Sequence, residues 1–541
     1  MFSTLQTAPP PRLMALRSRL LTSTRAHLYL RPTLCSAALA RRTSGVPATT
    51  DAGKKLKTIA DLPGPSVSTT LYWLFAQGYM DRSHLLQGLQ KSLYGPIWQS
   101  KFGPFELVNL ASPELIAQVI QQEGQYPTRT ELPHWKEYLD LRGKAYGLHV
   151  NSGPGWQRLR KALNPKMLKP QEVVMYAPLI HQVVGDLLQR IDLLRRRSPD
   201  QATVSDVAAE LYKFGFEGIS AILFESRLGC LQEEIPRETL RFIAAVNDML
   251  KMSEVVVIFP HWTRSILPFW RRFIQAWDVL FEIAGTLIDS RVSELEGQIQ
   301  RGEPTEGKYL TYLLSMDQLS LSEVYITVTE LLLGGVDTTS NTLSWSLYHL
   351  ARDQRVQDRL HQEVSAVCPD LQEPNVDHLQ KMPYLRAVIK ETLRLYPVVP
   401  GNGRFITENE VILDNYWFPK KTLFHLCHYT ICRDESEFVN PDSFIPERWL
   451  RSGKRVAGAF QHHPYSYIPF GVGTRACVGK RVAEMEMHFA LTRLLQMFKI
   501  EPVDDSVIQP KTRTLLIPDR PVNLRFLPRI AGSPLAESSS H

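Results

Sequence analysis

Residues 470–480 read FGVGTRACVGK, one cysteine (Cys477) fenced by Gly471, Gly473 and Gly479, with Phe470 and Arg475 ahead of it. A thiolate is a soft ligand suited to iron. Glycines cost backbone entropy unless the chain must bend or approach something closely. Gly471 and Gly473 allow a tight loop, and Gly479 lets the run RVAEMEMHFALTRLLQMF approach a flat ligand. Backbone N–H groups at the start of that run are expected to lower the thiol pKa. Arg475 can pair with a carboxylate on the bound group.

Three further constellations bear on the same chemistry. In 321–350 the apolar run is interrupted by Gly334-Gly335-Val336-Asp337-Thr338-Thr339. Each internal glycine costs about 1 kcal/mol relative to alanine, and Thr338 can bond back to a carbonyl one turn earlier and open the helix. The residues alone leave two readings: a small-ligand pocket with an acid and a hydroxyl for proton relay, or a helix break capped by Asp337. Glu391 and Arg394 lie three apart on one helix face, and Arg448 in SFIPERW can close a Glu–Arg–Arg network. Trp156 and Arg160, four apart in GPGWQRLRKALNP, can hold an anionic group on a flat apolar ligand. Taken with Cys477 they point to thiolate-ligated haem.

The elements that must position these residues are mostly helical. Helical periodicity runs through LIAQVIQQEG, WQRLRKALNPKML, YAPLIHQVVGDLLQRIDLL and FIQAWDVLFEIAGTLIDSRVSELEGQIQ. Short β-like pieces occur at ELVNL, VILDNYWF, TLFHLCHY and VNLRFL, with no repeat and no strand–helix alternation. The expected fold is one large, mainly helical domain with small sheets. EVVVIFPHWTRSILPFWRRF (254–273) is too interrupted by Pro260 and Pro268 to span a bilayer. It reads either as a monotopic membrane contact with Trp262 and Trp270 at the interface or as a buried inter-helix loop.

Charge is concentrated at one end. The first 50 residues hold seven arginines and no acid, the composition of a mitochondrial transit peptide. Of 62 basic residues these seven lie in the leader, which leaves 55 against 55 acidic ones and no global case for nucleic-acid binding. Six scattered cysteines form no disulfide framework. Cys427, Cys432, His425 and His428 invite a zinc reading, but no second ligand pair follows.

FGVGTRACVG resembles the haem-binding signature of the cytochrome P450 superfamily. GGVDTT resembles its oxygen-activating helix, Glu391–Arg394–Arg448 its Glu–Arg–Arg triad, and Trp156-x-x-x-Arg160 its propionate-binding helix. All four stand in the family's order over roughly residues 60–528. LGCLQEEIP, DTTSNTLSWSLYHLARD, ETLRLYPVVP and ERWLR are similar to mitochondrial family 27, the sterol and vitamin D hydroxylases, and most to its sterol 26/27-hydroxylase branch. Gly334 stands where that family commonly has alanine, and GNGR (401–404) is a variant of its retinoid-acting branch.

The resemblance implies the cytochrome P450 fold, mainly α, with haem b between the oxygen-activating helix and the cysteine loop. It implies a transit peptide over 1–45 that is removed, a monooxygenase domain over 46–528 and a disordered tail over 529–541. Cys477 is the implied axial iron ligand, Asp337 and Thr338 the proton-delivering pair, and Trp156, Arg160, Arg404 and Arg475 the propionate holders. The implied reaction is hydroxylation of a sterol or secosteroid side chain (cholesterol-like, a bile-acid precursor or vitamin D). It uses O2 and electrons from an adrenodoxin-like mitochondrial ferredoxin with its NADPH-dependent reductase. Arg386, Lys390, Lys480 and Arg481 match the ferredoxin-docking face. The implied location is peripheral, on the matrix face of the inner membrane. Two alternatives are a retinoid desaturase or hydroxylase on the same scaffold and a haem-thiolate protein without turnover.

Overall fold

The computed structural model describes residues 56–102, 105–130, 132–303, 309–450 and 462–529. The expected transit peptide, and all but the first residue of the expected tail, lie outside them. Its principal helices are α1 (Ser83–Tyr94), α2 (Pro133–Leu141), α3 (Gly153–Leu168), α4 (Ala177–Arg197), α5 (Val207–Phe224), α6 (Arg237–Ile258), α7 (Pro268–Gln300), α8 (Leu321–Arg352), α9 (Pro383–Leu395) and α10 (Lys480–Met497). The strands are short: β1 (Ile97–Phe102), β2 (Phe105–Leu110), β3 (Thr203–Val204), β4 (Asn402–Ile406), β5 (Val411–Leu413), β6 (Tyr416–Phe418), β7 (Thr422–Leu426), β8 (Phe498–Pro502), β9 (Pro510–Arg513), β10 (Leu515–Pro518) and β11 (Leu524–Pro528).

Helix α8 is the axis of the large core. It starts at a capping box, in which Ser320 Oγ accepts from the Glu323 N–H at 3.2 Å and Glu323 Oε2 accepts from the Ser320 N–H at 2.8 Å. The helix is buried on almost every face, as a helix without a continuous charged stripe must be. Four of its hydroxyls bond back into the helix: Ser340, Thr342, Ser344 and Ser346 each donate to the carbonyl four residues back, at 2.6–2.9 Å. The helix stays continuous through Gly334–Thr339, so the reading of a break capped by Asp337 does not hold.

Helix α5 explains one of the two central glycines. A Cβ on Gly335 would lie 2.8 Å from the Ile219 Cβ, and one on Gly215 would lie 2.9 Å from the Val336 carbonyl oxygen. The helices thus cross at reciprocal glycines, closer than any side chain allows. Gly334 is different: nothing lies within 4 Å of where its Cβ would be.

A second, smaller core lies under a four-stranded sheet ordered β1-β2-β7-β4, antiparallel except for the parallel β2–β7 pair. Trp98, Val108, Phe418 and Phe424 are buried there. This sheet carries Arg404 on β4, opposite Phe424. The VILDNYWF expectation becomes the β5–β6 hairpin, turning at Asp414 and Asn415, whose φ values are 46° and 65°.

Between α6 and α7 the chain makes one short turn, His261–Ser265. Trp262 and Ile266 are 68% and 72% exposed, so the buried-loop reading of 254–273 fails at these positions. Trp270 departs from the expectation too. It is half-buried, stacked on Phe273 with the Arg264 guanidinium 4.6 Å from its ring centre.

Candidate active site

The cysteine loop is shaped by its own backbone. Gly471 and Gly473 have φ of 69° and 71°, the left-handed region that glycine enters without a Cβ penalty. The turn closes through the Cys477 N–H donating to the Phe470 carbonyl at 2.8 Å, and α10 begins three residues later. Burial pushes the Cys477 thiol above its ordinary range. The Gly479 and Lys480 N–H groups and Arg129 and Arg160 pull it down. The expected net lowering is therefore corrected: the dipoles act in the expected sense, but desolvation outweighs them.

Cys477 lines a cavity of about 250 Å³ together with Trp156, Arg160, Arg404, Arg475 and Thr338. Arg475 is held by three carbonyls, donating to Pro127 at 2.6 Å, Asn151 at 3.2 Å and Leu148 at 3.5 Å. Its guanidinium lies 3.7 Å from the centre of the Trp156 ring. Arg160, on α3, donates to the Ala476 carbonyl at 2.9 Å, and Arg404 pairs with Glu123 at 2.5 Å. A fourth guanidinium, Arg129, lines the same cavity and donates to the Arg475 carbonyl.

Four guanidinium groups therefore surround one cavity, and among the described residues only Arg404 has a carboxylate ion partner. Nε of Arg129 and of Arg160 is buried without a hydrogen-bond partner. Burial pushes Arg475 down to about 9, and Arg129, Arg404 and Arg160 push in the same direction. Buried cations without counter-charge are costly. The set fits a flat, apolar dianion with a soft-ligand metal at its centre, which is the chemistry of haem.

Across the cavity, α8 presents Gly334, Thr338 and Thr339. The Thr338 hydroxyl donates to the Gly334 carbonyl at 2.7 Å, the back-bond expected from the sequence, and this leaves its lone pairs open toward a ligand. Asp337 is 3% exposed, and neither carboxyl oxygen has a partner. Burial raises its pKa to about 7. Asp337 lines a second cavity of about 550 Å³, which shares Arg129, His149, Gly334, Thr338, Val399 and Asn402 with the first.

Glu391, Arg394 and Arg448 are brought together. Arg394 grips Glu391 with two hydrogen bonds at 2.8 and 3.0 Å, and Arg448 adds one at 3.0 Å. The Trp449 indole and the Ile445 N–H donate to the same carboxylate at 2.8 and 2.9 Å. Arg386, Lys390, Lys480 and Arg481 border one surface groove. Lys480 and Arg481 also border a depression that reaches Cys477 from the side of Trp156 and Gln157.

Some residues of the site escaped the sequence reading. Arg129 lies in a loop without periodicity and Glu123 two residues past the end of the helix over Pro113–Gln121, and no spacing marks them. Glu486 lies three residues after Ala483 on α10 and lines the Cys477 cavity. It accepts from the Thr339 hydroxyl at 3.4 Å and is pushed up to about 8 by burial. Glu330, two turns before Thr338, accepts from the His149 N–H at 3.2 Å. His425, His428, Cys427 and Cys432 do not form a metal site; no cluster of three or more His, Cys, Asp or Glu suited to a metal occurs among the described residues.

Comparison with known proteins agrees with this geometry. The family model "Cytochrome P450" matches residues 63–526. The chain is 44% identical over 479 residues to the mitochondrial sterol 26-hydroxylase of Rattus norvegicus, covering 88% of this chain and 90% of the relative. It is 41% identical over 483 residues to the mitochondrial 25-hydroxyvitamin D-1 alpha hydroxylase of Homo sapiens, covering 87% and 93%. To cytochrome P450 27C1 of Danio rerio it is 38% identical over 482 residues, covering 88% of each.

Proposed function

The chain belongs to the cytochrome P450 family, and on that footing we propose that it is a mitochondrial haem-thiolate monooxygenase hydroxylating the side chain of a sterol or secosteroid. The observation that carries the chemistry is the Cys477 thiol on a cavity ringed by four guanidiniums and faced by Thr338. In this reading Cys477 ligates the iron of haem b. Arg160, Arg404, Arg475 and Arg129 hold the propionates, and the Trp156 ring backs Arg475. The bound haem supplies O2 activation and C–H oxidation. The second cavity, walled by Leu132, Trp135, Leu250, Val257, Leu333 and Leu515 among others, suits a large apolar substrate and keeps water from the reacting carbon.

The residues on α8 handle the proton. Asp337 titrates near pH 7, so below that pH its carboxyl holds a proton on the cavity that Thr338 also borders, and the Thr338 hydroxyl relays it, through water in that cavity, toward the Cys477 side. Turnover is expected to fall as pH rises through about 7, and Asp337→Asn to remove that limb while lowering the maximal rate about a hundredfold, within the usual range for a lost general acid. The stability change runs the other way. The unfolded carboxyl ionises near 3.8 and the folded one near 7, so the buried group destabilises the fold progressively between those values and fully above them. At neutral pH Asp337→Asn should recover up to about 4 kcal/mol. A variant both slower and less stable at pH 7.5, measured by turnover and thermal unfolding, would contradict the assignment.

The relatives carrying sterol and vitamin D names support the substrate class. The GNGR variant gives the retinoid reading little weight: a Cβ on Gly403 would lie 1.5 Å from Thr130 Oγ1, so packing alone explains that glycine. The basic groove formed by Arg386, Lys390, Lys480 and Arg481 is the docking face for an acidic ferredoxin fed by an NADPH-dependent reductase. No described helix is long and apolar enough to cross a membrane, and the outward Trp262 and Ile266 are the peripheral contact at the matrix face of the inner membrane.

One reconstituted assay tests these parts together, using ferredoxin, reductase, NADPH and lipid vesicles with cholesterol, vitamin D3 and retinol. Hydroxylated cholesterol or vitamin D3 is expected, with turnover declining as salt rises. Trp262→Ser should reduce co-sedimentation with vesicles. Product from retinol alone would replace the sterol reading, and salt-independent turnover would remove the docking face.

A further inference from the structure

The second cavity contains polar groups that the proton relay does not use. Most of its polar walls are already satisfied. Gln90 accepts from the Trp98 indole at 3.1 Å, Ser253 accepts from the Trp135 indole at 3.0 Å, and Glu254 is engaged by the Thr514 N–H. Besides Asp337, and besides Arg129 and His149, which the first cavity shares, two side chains carry buried polar atoms without a partner. Gln87, on α1, is 9% exposed and its Oε1 is buried without a partner. His134, at the start of α2, is 2% exposed and neither ring nitrogen has a partner. Buried polar groups are normally hydrogen-bonded, so two orphans on one cavity call for a ligand.

Their position and chemistry narrow that ligand. Arg129, His149, Gly334, Thr338, Val399 and Asn402 border both cavities and mark the junction between them, whereas Gln87 and His134 border only the second. Burial holds His134 far below its ordinary range, to about 3, so its ring is neutral, with one donor and one acceptor nitrogen. With the Gln87 carbonyl this makes two acceptors and one donor. That set complements a neutral hydroxyl, which both gives and receives a hydrogen bond, and disfavours a carboxylate.

We propose that Gln87 and His134 form a hydroxyl-binding subsite that anchors the polar end of an elongated apolar substrate, so that its opposite, apolar end passes the Gly334–Thr338 junction toward Cys477. The assignment rests on the monooxygenase reading for which end reacts, but it requires only a terminal hydroxyl, whichever lipid carries it. It accounts for selection of an unactivated carbon far from the substrate's one polar group.

The test titrates the haem-loaded enzyme by its absorbance change on binding, with two ligand pairs: cholesterol against cholest-5-ene, and retinol against its methyl ether. The wild-type protein should favour cholesterol over cholest-5-ene by about tenfold or more, the worth of a buried hydrogen bond left unmade. Gln87→Leu and His134→Phe should each shrink that ratio and together bring it near one. Affinity for cholest-5-ene should stay within about twofold, which shows an intact cavity. Equal wild-type binding of both sterols, or a ratio unchanged in the double variant, overturns the subsite and leaves the sterol reading standing. A silent sterol pair with a hydroxyl-dependent retinol signal lost in the double variant sustains the subsite and overturns the sterol reading. Silence from both pairs overturns both.

Discussion

Replacing Cys477 with serine is expected to abolish turnover and the strongly red-shifted Soret band of the reduced, carbon-monoxide-bound protein, while the fold survives. The exchange is nearly isosteric. The loop is held by contacts the thiol does not make: the Cys477 N–H to the Phe470 carbonyl, the Arg160 guanidinium to Ala476, and the anchored Arg475. What changes is the donor. A serine hydroxyl is hard and stays protonated, whereas a thiolate is a soft anionic ligand that donates electron density to iron. Turnover should drop below detection, and thermal unfolding should move by no more than a few degrees. Retention of the shifted band in the serine protein would sink the central assignment.

Glu391→Ala should have the largest effect on stability. The carboxylate is fully buried and accepts from Arg394, Arg448, Trp449 and the Ile445 N–H. Arg394, also fully buried, further ties down the Cys432, Pro441 and Ser443 carbonyls. Removing one partner of such a network leaves uncompensated buried charge, at about 3–5 kcal/mol. That is a large share of the about 5–15 kcal/mol that holds a typical domain. The protein should express poorly, unfold at much lower urea and retain little haem. Glu391→Gln keeps the shape and most acceptors, so it should fall between the two. A Glu391→Ala protein of wild-type midpoint would show that the network contributes nothing net.

The fold and the site were legible to different depths. Helices α3, α4 and α7 follow from local periodicity, and α8 from a long apolar run without proline. ELVNL, VILDNYWF and TLFHLCHY became strands or a hairpin because alternation and turn residues are local signals too. Trp156, Thr338 and Cys477 line one cavity, the arrangement that the resemblance implied. What the sequence concealed is long-range. Nothing near Arg129 or Glu123 says that they will meet Arg475 and Arg404, some 280–350 positions away in the chain. Gln87 and His134 look like ordinary helix residues until the packing buries them. The thiol pKa was misjudged for the same reason, since the dipoles are local and the burial is not.

The reciprocal glycine crossing of α5 and α8 sets two neighbouring glycines under opposite constraints. Gly335 is locked, because any side chain there drives the helices apart and shifts the whole roof of the site. Gly334 is open on the cavity side, so alanine can enter without touching the crossing and would only reduce the space above Cys477. Position 334 is therefore a dial for cavity size that evolution or an engineer can turn alone. Here, with glycine, it stands at its widest setting.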